Sequence, residues 1–81
     1  MKNEAYAIIR QENVDRFQTM FKTKEEAIQE AKWEWERLLT KEEKRKIKYY
    51  AVVKGEPDEN GYIDFENVTK IIIEFKKWEN Q

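Results

Sequence analysis

The chain has 81 residues, 40% apolar and 41% charged, with 16 Lys and Arg set against 17 Asp and Glu. That length supports one small domain over residues 1–81, and a 14% aromatic content separates it from disordered chains. It contains no Cys, His or Ser, which excludes disulfides, most zinc chemistry and the common nucleophile–base pairs.

Residues 5–10 are a short apolar run rich in strand formers, and residues 16–21 alternate polar and large apolar side chains. They predict two strands joined as a hairpin. Thr23-Lys24-Glu25-Glu26 is a capping-box sequence, so a helix is expected from Lys24 to Leu39. At ~100° per residue, Ala27, Ile28, Ala31, Trp35, Leu38 and Leu39 share one arc of about 120°. Thr40-Lys41-Glu42-Glu43 repeats the box and predicts a second, short helix. Residues 47–54 alternate as a strand, and residues 55–61 hold the only Pro and an Asn60-Gly61 pair, the marks of a turn. Residues 67–78 fit helical and strand periods alike. Three consecutive Ile beside Val68 and Thr69 favour a strand, because β-branched side chains lose rotamer freedom in a helix.

The expected fold is therefore α+β, a small two-layer domain. An antiparallel sheet in the order β-β-α-(short α)-β-β carries one amphipathic helix on one face. Under the helix the alternation places Ala7, Ile9, Phe17, Phe21, Tyr49, Val53, Ile71, Ile73 and Phe75. The opposite face then displays Tyr6, Ile8, Met20, Tyr50, Val52 and Ile72 among Arg10, Arg16, Lys22, Lys48, Lys54 and Lys70, with Glu74 its only acid.

Charge is unevenly distributed along the chain. Residues 44–54 carry five bases and no acid, and residues 55–66 carry five acids and no base. The basic run Lys44-Arg45-Lys46-Ile47-Lys48 suits a helix C-terminus better than a nucleic-acid patch. The acidic run from Glu56 to Gly61 lacks the ligand spacing of an EF-hand loop, so a solvated turn is expected and no metal. Paired carboxylates lie on a helix face and in a turn, with no nucleotide or metalloprotease motif. No enzymatic activity and no cofactor are expected.

Two surfaces are candidate contact sites. Trp33 lies opposite the helix stripe among Glu26, Gln29, Glu30, Glu36 and Arg37, and an exposed Trp is a common interface anchor. The competing expectation is that the C-terminal segment with Trp78 folds over it, or that a loop covers it. The second surface is the open sheet face, where Tyr6, Tyr50 and Ile72 would meet a protein or a second copy of the chain. The same face, with Arg10, Lys48, Lys54 and Lys70, would alternatively bind single-stranded nucleic acid through stacking and phosphate contacts. A protein partner is the leading expectation, with a homodimer or nucleic acid as alternatives. No run reaches the ~20 apolar residues of a membrane span and no leader is recognisable, so no membrane contact and a cytoplasmic location are expected.

Thr23-Lys24-Glu25-Glu26-Ala27 opening an acidic, Trp-bearing helix, Leu39-Thr40-Lys41-Glu42-Glu43 closing it, a Tyr-Tyr-Ala-Val-Val strand and an Asp-Glu-Asn-Gly turn form a recognisable layout. It resembles small proteins encoded by phages and mobile elements of low-GC Gram-positive bacteria, including the anti-CRISPR kind. The resemblance covers roughly residues 19–66 and implies a host-directed protein-binding role, a small inhibitor or accessory protein. It assigns no functional residue.

Overall fold

The computed structural model describes residues 3–78. Its strands are β1 (Ala5–Gln11), β2 (Arg16–Phe21), β3 (Tyr49–Gly55) and β4 (Val68–Lys76). Between β2 and β3 run α1 (Lys24–Trp33), a π-helical turn (Glu34–Leu38) and α2 (Lys41–Lys46), and a 3-10 turn (Phe65–Asn67) precedes β4. The strands form one antiparallel sheet in the order β2-β1-β3-β4. The fold is α+β with the expected β-β-α-α-β-β order, and the Ile71–Ile73 segment is strand.

The helices start where the capping sequences place them. Thr40 and Glu43 make both halves of a capping box, each amide reaching the other's side chain at 3.1 Å. At α1 only one half forms. The Thr23 hydroxyl accepts from the Glu26 amide at 3.2 Å and donates to the Glu26 carboxylate at 3.0 Å. The end of the long helix departs from expectation. Leu39 N–H bonds to the Glu34 carbonyl at 2.8 Å, five residues back, and this wider turn retards the angular phase of the residues at its end. Leu38, expected in the buried stripe, is 53% exposed, whereas Leu39 is 7% exposed.

The pleat of the central strands is opposite to the one expected. Ile8, Tyr50 and Val52 pack under α1 with Ala27, Ala31, Leu39 and Ile47, joined by Tyr6, Phe21, Trp35, Ile72, Ile73 and Phe75. Ala7, Ile9, Tyr49, Ala51 and Val53 face the other way and pack on Ile63. Both faces of β1 and β3 are apolar, so alternation leaves their parity open. The helix brings the small Ala27 and Ala31 to the sheet, and Tyr50, Ile8 and Val52 fill the space beneath them.

That other face has a cover of its own, the segment between β3 and the 3-10 turn. Ile63 is fully buried. Its backbone is held by Gln18, whose amide donates to Ile63 O at 2.6 Å and accepts from Ile63 N at 3.0 Å. Arg16 also donates to that carbonyl and lies over the Phe65 ring at 4.4 Å. Asp58 shapes the turn by accepting from the amides of Asn60 and Tyr62 at 2.8 and 3.0 Å, and Gly61 takes a positive φ of 84°. β4 pairs with β3 through three register shifts. They allow Ile72 and Ile73 both to reach the helix side, while Ile71, expected there too, aligns with Val53 of the other face.

Candidate functional site

Trp33 closes α1 and is 49% exposed. With Phe21 from the end of β2 and Glu26, Gln29 and Glu30 from α1 it lines a shallow recess of about 340 Å³. The spacing explains the grouping: positions 26, 29, 30 and 33 lie three or four apart and share one helix face. Trp78 does not cover Trp33. It stacks on Tyr49 at 5.2 Å with the rings 9° from parallel, on the other side of the sheet. Glu36, grouped with Trp33 in the sequence, is exposed in the π turn and outside the recess. The recess is therefore an indole and a phenyl ring bordered by two carboxylates and an amide. Such a surface accepts a cationic side chain, by charge and by the attraction of a cation to an aromatic face.

The second candidate surface does not form as expected. Tyr50 is 0% exposed beneath the helix, and Tyr6 and Ile72 pack against the same core cluster, so the three do not make an open contact face. The four basic residues assigned to that face are dispersed. Arg10 pairs with Glu12 at 2.6 Å, and Lys54 lies 3.7 Å from Glu4 and over the Tyr6 ring. Lys70 is Lys54's cross-strand partner, while Lys48 is exposed beside Arg45 and Lys46 at a recess shared with Glu12 and Asp15. No flat tract of stacking rings between lysines results.

What stays accessible on the Ile63 side is a recess of about 410 Å³ lined by Tyr49, Val53, Phe65, Val68, Thr69, Lys70 and Ile71. Tyr49, Phe65 and Trp78 form a three-ring cluster at its edge. The Tyr49 hydroxyl donates to the Glu74 carboxylate at 2.7 Å. Burial and that carboxylate push the Tyr49 phenol well above its ordinary range.

A third cluster lies between the helix layer and the β1–β2 hairpin. Ile8, Arg10, Phe17, Thr19 and Glu34 line a cleft of about 280 Å³. The Tyr50 hydroxyl donates to the Glu34 carboxylate beside it. Burial first, then this bond and the negative charge of Glu34, hold the Tyr50 phenol well above its usual range, with Arg10 opposing. Glu34 belongs to no motif in the sequence, yet its position carries a signal. It stands seven residues after Ala27 and three after Ala31, at the rim of the buried stripe, where a carboxylate needs a partner. Among the described residues no group of three or more His, Cys, Asp or Glu is placed to hold a metal ion, and no helix is long and apolar enough to cross a membrane.

Comparison with protein-family models, with curated proteins and with solved structures finds no match.

Proposed function

We propose that this chain is a non-enzymatic protein-binding module, a small inhibitor or accessory protein of the phage and mobile-element kind. Its contact surface is the outer face of α1, centred on Trp33. The observation that carries this reading is the half-exposed indole lining one recess with Glu26 and Glu30. A large amphipathic ring left in water beside fixed negative charge adds little to folding, and it is the residue type most enriched among interface hot spots. The matching partner surface is basic, with an Arg or Lys side chain seated against the Trp33 and Phe21 rings. The acidic rim would speed encounter and set orientation, and the ring would supply most of the affinity.

The experiment is capture of partners from a bacterial lysate by the immobilised chain, with Trp33→Ala, Glu26→Lys and Lys48→Glu compared against wild type. Loss of the same partner with Trp33→Ala and Glu26→Lys, and retention with Lys48→Glu, is the expected pattern. Equal retention of every partner by Trp33→Ala would rule this surface out.

A further inference from the structure

We propose that the cleft between the β1–β2 hairpin and the π turn is a binding site for a small zwitterion, a free α-amino acid with an aliphatic side chain. The inference uses residues separate from the Trp33 recess and does not depend on the protein-binding role.

The cleft holds one cation and one anion that do not neutralise each other. Arg10 gives its Nε and one terminal nitrogen to Glu12, which leaves guanidinium donors free on its remaining edge. Glu34 accepts from the Tyr50 hydroxyl, and among the described residues no cation stands within ion-pair distance of it. A part-buried carboxylate with no cationic partner has acceptor capacity left for a positively charged group. Arg10, although paired with Glu12, keeps N–H donors for an anionic group, and Glu34 can accept from a cationic one. A molecule carrying both charges satisfies both residues.

The remaining walls fit the rest of such a molecule. Thr19 lines the same cleft and offers a hydroxyl that can accept a second hydrogen bond from an ammonium group. Buried Ile8 and the Phe17 ring, with Arg10 at 5.7 Å from its centroid, form an apolar surface for an aliphatic side chain. At about 280 Å³ the cleft lies at the lower end of the ~300–1,000 Å³ typical of small-molecule sites, a size suited to a ligand such as an amino acid. The local backbone points the same way. Glu34 opens a π turn, a deformation frequent at functional sites, and its carbonyl makes the five-residue bond that defines that turn.

The test is amide NMR titration of the full chain with L-leucine, L-leucine methyl ester and N-acetyl-L-leucine, each to millimolar concentration. L-leucine is expected to shift the amides of Arg10, Thr19, Glu34 and Tyr50. The ester, which lacks the carboxylate, and the acetyl derivative, which lacks the ammonium, should each bind at least ~10-fold more weakly, the effect of losing one charge-assisted contact. Glu34→Gln, whose amide oxygen can still accept from Tyr50, should weaken L-leucine to the same degree. No saturable shift at the cleft with L-leucine, or binding of all three compounds with equal affinity, would overturn the proposal. The three-ligand comparison on the wild-type chain decides the matter even where Glu34→Gln lowers stability.

Discussion

Replacing Tyr50 by Phe isolates the polar contact that ties the helix layer to the sheet. The ring sits fully buried, 5.2 Å from Trp35 and 5.7 Å from Phe75, and those contacts survive the substitution. What is lost is a hydrogen bond to the Glu34 carboxylate, and bonds to charged groups contribute about 1.5–3 kcal/mol. Glu34 is only partly buried, so water can take over some of the vacated acceptor capacity, which places the loss near 1.5–2 kcal/mol. A chain of this length has roughly 4–12 kcal/mol of stability in all. With a urea slope near 1 kcal/mol/M the midpoint should fall by about 1.5–2 M, and Tm by roughly 6–16 °C. Urea unfolding followed by circular dichroism measures it, with Glu34→Ala, which removes the acceptor, and the double variant completing a cycle. A coupling of at least ~0.5 kcal/mol is expected between the two sites. A neutral Tyr50→Phe, or strictly additive effects, would refute the view that this bond is made in solution.

Gly55→Ala should destabilise by about 1–3 kcal/mol, because the new Cβ would meet Asn67 O at 2.6 Å, Ile63 Cγ2 at 2.7 Å and Val68 Cα at 3.2 Å; thermal denaturation reads the loss. Leu39→Ala should cost about 2–4 kcal/mol as a buried truncation, whereas Leu38→Ala should stay within ~0.5 kcal/mol. Equal effects at the two positions, measured by chemical denaturation, would contradict the π turn. The phenols of Tyr49 and Tyr50 are both raised, so the stability they contribute is complete below the ordinary tyrosine range near ~10 and is lost as pH climbs above it. Absorbance titration should show their phenolates appearing together with the loss of far-ultraviolet signal, and the late component should shrink in Tyr49→Phe and Tyr50→Phe.

The fold is legible in the sequence to the extent that each element carries its own local chemistry. Thr23 and Thr40 mark the helix starts because a hydroxyl three residues before a Glu satisfies an orphan amide. Ile71 to Ile73 read as strand because their branched side chains suit a pleated surface. Pleat parity is not legible, because Ala7 and Ile8, or Ala51 and Val52, are both apolar and only the opposing layer decides which faces the helix. The cover over the Ile63 side is hidden for a related reason. A turn rich in acids reads as solvated, while Ile63 and Phe65 at its end supply the apolar cover. Of the candidate site, Trp33 with Glu26 and Glu30 is visible from helical spacing alone. Phe21 beside them is a tertiary neighbour, and the departure of Glu36 comes from the π turn, which periodicity at 3.6 residues cannot foresee.

The most direct test of the contact surface is fluorine NMR of the chain labelled with fluorotryptophan, recorded free and with a captured protein partner. The three Trp resonances are assigned by Trp33→Phe, Trp35→Phe and Trp78→Phe. Binding through the outer face of α1 predicts that the Trp33 resonance shifts on complex formation while Trp78, stacked on Tyr49 across the sheet, keeps its position. A shift confined to Trp78 would contradict that claim and place the contact on the Tyr49–Phe65–Trp78 side.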